Sequence, residues 1–382
     1  MSDSIPSVAK HNGALGPLDG VRVLDLSRVL AGPLCTMMLG DLGADVIKVE
    51  HPRGGDETRG WGPPFDDRGE SAYFLGINRN KLSVAADLGT PEGRSLVRRL
   101  ALDADVVVDN FRAGTLERFG LDPDALLADR PSLVWLTITG FGPDSPRPGY
   151  DYVVQAECGW MSITGEPDGE PMKAGVALAD VVTGKDAAVA ILGALVARGR
   201  TGKGARLFVS LAASATAALI NAAQNVLVSG RDARRWGNGH PNLVPYQLFR
   251  AADRPFVIAV GNDGQWRACA RVLELADLAA DPSLATNPGR VEQRERVVRA
   301  VSARVRERPA SHWLPLLEGA GVPCGVVRTV LEALERVEAS PLTGVASPVG
   351  GTVRFPPPRL DEHGAGVREV GWEIFGRAAR DP

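Results

Sequence analysis

Val21-Arg-Val-Leu-Asp-Leu26, then Ala31-Gly-Pro33, Met37, Met38 and Leu42, then Gly43-Ala44 and Asp45-Val-Ile-Lys-Val-Glu50: the reading of this stretch decides the fold. Apolar residues alternate over 21–26 with the period of a strand. Ala31-Gly-Pro33 breaks that strand and opens a helix through Met37, Met38 and Leu42, which Gly43-Ala44 ends. The next strand, 45–50, follows at once. A strand, a helix and a strand in so short a span predict a right-handed parallel crossover at the core of an α/β domain.

The same alternation continues downstream. Thr90 can cap a helix with Pro91 at its first position, and Leu96, Val97 and Leu100 give it one apolar face. Asp105-Val-Val-Val108 reads as a buried strand, Asp122-Pro123 opens a helix that must stop before Pro131, and Leu133–Thr139 is a strand again. Asp180–Val196 is a long helix rich in Ala and Gly, Arg206–Leu211 a strand, and Ala212–Val228 a second small-residue helix. At about residue 229 the composition shifts to a polar, Arg- and Gly-rich stretch, Arg231–Asn242, expected to cross into a second domain. There a hairpin-like pair, Tyr246–Phe249 and Pro255–Val260, precedes helices near 263–275, 290–308 and 311–319, with Val291, Val298, Val301 and Val305 striping the middle one. Beyond Gly325 helix signals are few, and Pro356-Pro-Pro358 suits a return segment. The expected organisation is a loose tail at 1–16, a large Rossmann-like parallel-sheet domain at 17–228, a smaller α+β domain at 229–325 and, at 326–382, a return segment packing on the large domain.

The chain has 382 residues, of which 44% are hydrophobic, enough for two modest domains or one large one with a real core. A net charge of −3, with no block of either sign, argues against a nucleic-acid binder. Cys35, Cys158, Cys269 and Cys324 form no C-x-x-C pair and read as reduced, buried thiols. The first residues lack an apolar core of a secretory leader, and Ala187–Val196 falls far short of the ~20 residues of a membrane span. A soluble cytoplasmic enzyme is expected, without a membrane partner.

Several chemistries are excluded. The chain has no G-x-S-x-G elbow and no H-E-x-x-H, and its five histidines are scattered. Neither Gly184-Lys185 nor Gly202-Lys203 completes a phosphate loop. The 21–50 unit mimics a dinucleotide fold, with Glu50 where a ribose-binding carboxylate would fall. Its turn, Ser27-Arg-Val-Leu-Ala-Gly-Pro33, lacks the glycines that let backbone approach a pyrophosphate, which disfavours a nicotinamide dehydrogenase.

Val21–Pro33 and Gly43–Glu50 together resemble the opening of the class III CoA-transferase family. The resemblance extends through Gly55-Asp56, Asn78-Arg-Asn-Lys81, Asp109-Asn-Phe111, Gly140-Phe-Gly142 and Gly149-Tyr-Asp151. It continues at Ala177-Leu-Ala-Asp-Val-Val-Thr-Gly184, Arg200-Thr-Gly-Lys-Gly204 and Val209-Ser-Leu211. The matches run in order from about residue 18 to 330. The resemblance implies two ring-like chains interlocked as a homodimer, coenzyme A as part of an acyl-CoA substrate, a carboxylic acid as the other substrate, and no metal. It also implies a catalytic aspartate, which falls on Asp180. The residue itself is chemically apt: a carboxylate at a helix N-terminus is favoured as the anion by ~0.3–1 kcal/mol, and an ionised Asp can attack a thioester. By spacing alone, Asp180 is as readily a helix cap.

By the same resemblance Leu30, Ala31, Asp87, Thr90, Asn110, Phe111, Arg112, Arg118, Thr139, Gly140, Phe141 and Gly142 line the CoA groove. Arg112 and Arg118 suit phosphate because guanidinium forks match its oxygens, although a surface arginine is often merely solvated. Gly261 and Asn262 open Gly261-Asn-Asp-Gly264, which is similar to a glycine-rich loop that shields the intermediate in some relatives, and is also a plain turn by composition. Arg234-Arg-Trp-Gly-Asn-Gly-His240 with Val244-Pro-Tyr-Gln247, and Met161-Ser-Ile-Thr-Gly165, resemble the succinate–hydroxymethylglutarate CoA-transferase branch. That branch uses dicarboxylic acids, so Arg234, Arg235 and His240 are candidate anchors for a second carboxylate. Leu30 stands where formyl-CoA:oxalate transferases carry glutamine, which argues against an oxalate-type acceptor. Tyr150 stands where racemases of the same superfamily carry histidine, which argues against α-proton transfer. A CoA-binding protein without turnover is the remaining alternative, favoured if Asp180 lies away from the groove.

Overall fold

The computed structural model describes residues 16–335 and 353–376. The expected tail, apart from Gly16, and residues 336–352 and 377–382 of the expected return segment lie outside the described residues. The described chain divides into two compact units: residues 16–160, 173–228 and 353–376 form one, residues 161–172 and 229–335 the other.

The first unit is built on six strands: β1 (Arg22–Asp25), β2 (Asp45–Glu50), β3 (Leu82–Ala85), β4 (Val106–Asp109), β5 (Val134–Thr139) and β6 (Ala205–Ser210). They lie in the order β3-β2-β1-β4-β5-β6, and every pairing is parallel. Side chains alternate between two cores. Val23, Val106, Val108, Val134 and Leu136 face the helices Ala31–Asp41 and Leu178–Thr201. Leu24, Val107 and Trp135 face the Pro91–Asp103 helix and the C-terminal residues Val367, Trp372 and Ile374. A parallel sheet covered on both faces needs this apolar supply in both directions. The C-terminal stretch is fastened by Trp372, whose indole N–H donates to the Leu100 carbonyl at 3.0 Å, and by the Asn80 N–H donating to the Phe355 carbonyl at 2.9 Å.

The second unit holds an antiparallel sheet, β7 (Tyr246–Arg250), β8 (Pro255–Ala259) and β9 (Cys324–Val326), over a core containing Trp266, Val297, Val301 and Trp313.

The parallel α/β expectation for the large domain and the smaller mixed domain both match this architecture. Five details differ from the sequence reading. β3 was not anticipated: Leu82-Ser-Val-Ala85 carries one β-branched residue and lacks the apolar run of β4. The 212–228 helix is two helices, Leu211–Ala217 and Ile220–Ser229, bent by 69° where Ile220 takes a φ of 39°. The 290–308 helix likewise breaks at Gln293 into Asn287–Glu292 and Arg294–Val305. Residues 161–172 join the second unit, since Arg235 and Gly237 hydrogen-bond to their backbone, and residues 326–335 stay there too, through β9 and the Arg254–Glu332 ion pair at 3.2 Å.

One close approach sets the position of the long helix. A Cβ placed on Gly184 would stand 2.7 Å from the Ala31 carbonyl oxygen and 3.3 Å from Leu34 Cβ. The Leu178–Thr201 and Ala31–Asp41 helices therefore meet backbone against side-chain stem, with no room for a methyl group. Gly184→Val should lower stability by about 1–3 kcal/mol, the usual range for overpacking. The check is a urea melt, with a lower midpoint at unchanged slope.

Candidate active site

In the strand order found here, β1 continues to β2 on one side while β4 continues to β5 on the other. The crevice beyond the carboxyl ends of such a pair is where open α/β sheets bind ligands. A cavity lies at that point. The turn after β1 contributes Arg28, Val29, Leu30 and Ala31, and the loop after β4 contributes Asn110, Phe111 and Arg112. Thr139 and Gly140 come from the end of β5, and Asp180 from the first turn of the long helix. Asp109 fixes the end of β4: its carboxylate accepts from the Trp135 indole at 2.7 Å, the Thr137 hydroxyl and the Phe111 N–H at 3.0 Å. Asn110 then clasps the β1 turn, accepting from Arg28 N at 3.0 Å and donating to the Arg28 carbonyl at 2.7 Å.

Asp180 is only 9% exposed. Among the described residues none hydrogen-bonds to its carboxylate. The helix N-terminus is instead capped by Asp151, whose Oδ1 accepts from Ala179 N at 2.8 Å and Asp180 N at 3.2 Å. Asp151 is itself held by Gln155 Nε2 at 2.6 Å. Burial, and then the charge of Asp151, push the Asp180 carboxyl up to about 7. The expectation that the helix dipole holds Asp180 as an anion is corrected here: Asp151 occupies the favourable position, and Asp180 is left desolvated beside a like charge. An anion without donors is also the more reactive nucleophile. Tyr73 shares these surroundings; its hydroxyl is pushed up to about 12 by burial and by Asp180, Asp151 and Asp56, and its ring meets Trp61 at 5.1 Å.

The remaining sequence candidates are dispersed. Asp87 and Thr90 line a separate depression with Arg99, and Thr90 caps the Pro91–Asp103 helix by accepting from Gly93 N at 3.1 Å. Arg118 donates to the Thr115 hydroxyl at 3.2 Å, outside the cavity. Phe141 lies under the Arg147 guanidinium at 4.1 Å, and Gly142 lines a neighbouring depression with Phe208.

In the second unit the Arg235 guanidinium is spent on the backbone carbonyls of Glu166, Pro167 and Gly169, at 3.0, 3.4 and 2.8 Å. It has a structural task, so its fit as a carboxylate anchor is poor. Arg234 and Arg294 both lie over the Trp236 ring, at 4.0 and 4.6 Å. His240 is lowered by burial and by Arg294, and its Nδ1 accepts from Asn242 N at 3.0 Å. Gly261 N donates to Gln265 Oε1 at 2.8 Å, and Asn262 caps the Asp263–Val272 helix by accepting from Gln265 N at 2.9 Å. Among the described residues no group of three or more His, Cys, Asp and Glu side chains could hold a metal ion. No single described helix is long and apolar enough to cross a membrane.

Sequence reasoning assigned no role to Arg28, Tyr73 or Asp151. Arg28 reaches the cavity rim, paired with Glu57 at 2.8 Å and lying 5.6 Å from the Phe111 ring. Asp151 had a signal in Gly149-Tyr-Asp151; Tyr73 had none.

The profile of CoA-transferase family III matches residues 18–358. The chain is 43% identical to the succinate–glutarate CoA-transferase of Agrobacterium fabrum, over 92% of this chain and 94% of that one. It is 41% identical to the succinyl-CoA:glutarate CoA-transferase of Mus musculus, over 92% and 85%. Among solved structures it is similar to a CaiB/BaiF family protein from Brucella suis, with a TM-score of 0.81 and 42% identity over 93% of this chain and 99% of that one.

The raised Asp180 has a consequence for stability. The folded carboxyl keeps its proton up to about 7, while the unfolded one releases it near 3.8. Between those values the folded chain binds more protons, so this group's contribution to stability falls as pH rises. Asp180→Asn removes that penalty. Its gain in melting temperature over the wild type should grow from pH 4 to pH 7 and level off above, as calorimetry at pH 5 and pH 8 would read.

Proposed function

The chain belongs to CoA-transferase family III, and on that premise we propose that it moves CoA from succinyl-CoA to a second dicarboxylic acid, of the size class of glutarate, through Asp180. The observation that carries the reading is the Asp180 carboxylate, desolvated and free of donors, opening on the cavity at the carboxyl ends of β1, β4 and β5. The relatives named for succinate, succinyl-CoA and glutarate support the donor and the acid class.

The exchange proceeds in balanced steps. The Asp180 carboxylate attacks the thioester carbonyl, the C–S bond breaks, and CoA leaves as the thiolate from a mixed anhydride. The thiolate attacks the Asp180 carbonyl and releases succinate, leaving CoA as a thioester on Asp180. The incoming carboxylate attacks that thioester and frees the thiolate again, forming the second anhydride. Attack of the thiolate on the new acyl carbonyl completes the product and restores Asp180. Splitting one exchange into acyl transfers of this kind is covalent catalysis, and the anhydrides require that water be kept out.

Arg112, exposed at the rim and without an ion pair among the described residues, suits a CoA phosphate. Leu30, Ala31, Phe111, Thr139 and Gly140 are proposed to flank the pantetheine arm. Arg234 and His240 are retained as candidates for the second carboxylate, and Gly261-Asn262 as part of a shielding turn. The proposal includes a cytoplasmic homodimer, interlocked as the family resemblance implies. Val189, Val196, Phe208, Leu227 and Val228 are exposed on the first unit, an apolar supply that a second copy would cover.

The test is CoA exchange from succinyl-CoA to a panel of mono- and dicarboxylic acids. Exchange should require an acceptor acid, favour dicarboxylates, and vanish in Asp180→Ala. Exchange that survives without Asp180 would overturn the mechanism, and equal use of monocarboxylates would overturn the acid class. Because protonated Asp180 is a poor nucleophile, kcat/KM should rise with pH and level off above about 7.

A further inference from the structure

The turn after β1 carries a conformation that its sequence does not favour. Val29 has a φ of 72°, in the left-handed region, and a β-branched residue there is a true outlier. Such strain costs about 1–3 kcal/mol and persists only where the surroundings over-determine it. Here they do. Ser27 donates both its N–H and its hydroxyl to Asp25 Oδ1. The Ser27 carbonyl accepts from Lys48 Nζ at 2.7 Å, and Val29 N donates to Asp56 Oδ1 at 3.3 Å. With the Asn110 clasp on Arg28, side chains from the ends of other elements grip three consecutive residues.

Three of these grips come from one buried cluster. Asp25, Lys48 and Lys81 are fully buried and Asp56 is 1% exposed. Lys81 Nζ lies 2.9 Å from Asp25 Oδ2. Lys48 Nζ lies 3.0 Å from Asp56 Oδ2, close enough for attraction though off the hydrogen-bonding direction, and 4.0 Å from Asp25 Oδ2. Two carboxylates and two ammonium groups balance. Burying such a quartet is costly, and well-packed apolar side chains would serve stability as well or better, so stability alone does not account for it. None of the four lines the cavity, whereas Val29, Leu30 and Ala31 do, on the wall they share with Asp180.

We propose that the Asp25–Lys48–Asp56–Lys81 quartet is a positioning device for the Ser27–Ala31 turn, with Lys48 and Asp56 as positioning residues that act on CoA binding through Val29 and Leu30. The inference rests on the reading that this cavity takes CoA. What the quartet supplies is placement of the turn, and the ions and the turn can be separated experimentally.

Two full-length variants make the separation. Asp56→Asn removes a charge but can keep an acceptor for Val29 N–H, and it leaves Lys48 on the Ser27 carbonyl. Lys48→Met/Asp56→Leu keeps charge balance through Asp25 and Lys81 but removes both grips. The readouts are the melting temperature, hydrogen exchange of the 26–32 amides, CoA affinity by calorimetry, and the split between KM and kcat. Asp56→Asn should melt lower yet keep turn protection and CoA affinity close to wild type. The double variant, which also strips the buried Thr58 N–H and hydroxyl of their acceptor on Asp56 Oδ1, should melt lower, and should lose about tenfold in protection at Val29 and about tenfold in CoA affinity, with KM raised more than kcat is lowered. A device for stability alone would change the melting temperatures but leave protection at Val29 and the CoA affinity of the folded double variant at the wild-type level. If the double variant does not fold, Ser27→Ala, at a fully buried position away from the cavity, should loosen the turn and weaken CoA severalfold. Unchanged protection and affinity in the double variant, or in Ser27→Ala, overturn the proposal. Wild-type protein that fails to bind CoA would instead overturn the CoA reading, and the exchange data on the turn would still decide the positioning claim.

Discussion

Everything at the candidate site depends on β1 and β4 lying side by side in the centre of a parallel sheet while their chains go on to opposite sides. Parallel pairing puts the carboxyl ends of all six strands along one edge, and the switch in direction leaves a crevice between the first two loops. Residues 28–31 of the turn and the loop at 110–112 form walls of that crevice. The long helix that carries Asp180 is brought to it by the close approach of Gly184 to the Ala31 carbonyl, so one glycine couples the Asp180 helix to the turn that lines the same cavity. The alternating cores on either face of the sheet make this arrangement stiff.

Two buried acidic sites behave in opposite ways. Asp25 is held well below the usual carboxylate range, because Lys81, Lys48 and Ser27 outweigh the cost of burial. Asp180 is pushed up because burial and Asp151 act together with no donor to offset them. The first carboxylate is fixed as an anion and spent on architecture. The second protonates near neutrality, the range in which perturbed groups can do catalytic work, which is what the proposed role of Asp180 requires. Asp151 gives the helix its cap and withholds that stabilisation from Asp180 in the same contact.

The parallel-sheet core was legible because Val23-Leu24 and Val106-Val107-Val108 are continuous apolar runs, which a strand feeding a core on each face requires. Asp180 was legible as a candidate through the family motif around it, and eight of the proposed residues, Leu30, Ala31, Asn110, Phe111, Arg112, Thr139, Gly140 and Asp180, line one cavity. The state of Asp180 was not legible. It depends on Asp151, which lies 29 residues earlier and reaches the helix end only through the fold. The surroundings of Arg235 were not legible for the same reason: its motif advertises a cation, and only the folded backbone of 166–169 shows which carbonyls the guanidinium meets. The strain at Val29 is invisible to propensity, since the groups that enforce it come from β2, Asp56 and the loop after β4.

The central claim is that CoA passes through a thioester on Asp180. The most direct measurement is to incubate the enzyme with succinyl-CoA and no acceptor acid, quench with hydroxylamine, and map the peptides by mass spectrometry. Hydroxylamine displaces CoA from an acyl thioester and leaves a hydroxamate on the carboxyl that held it. The account predicts a hydroxamate on Asp180 that appears only after exposure to succinyl-CoA. Turnover with no label on Asp180, or with the label on another carboxylate, would contradict it.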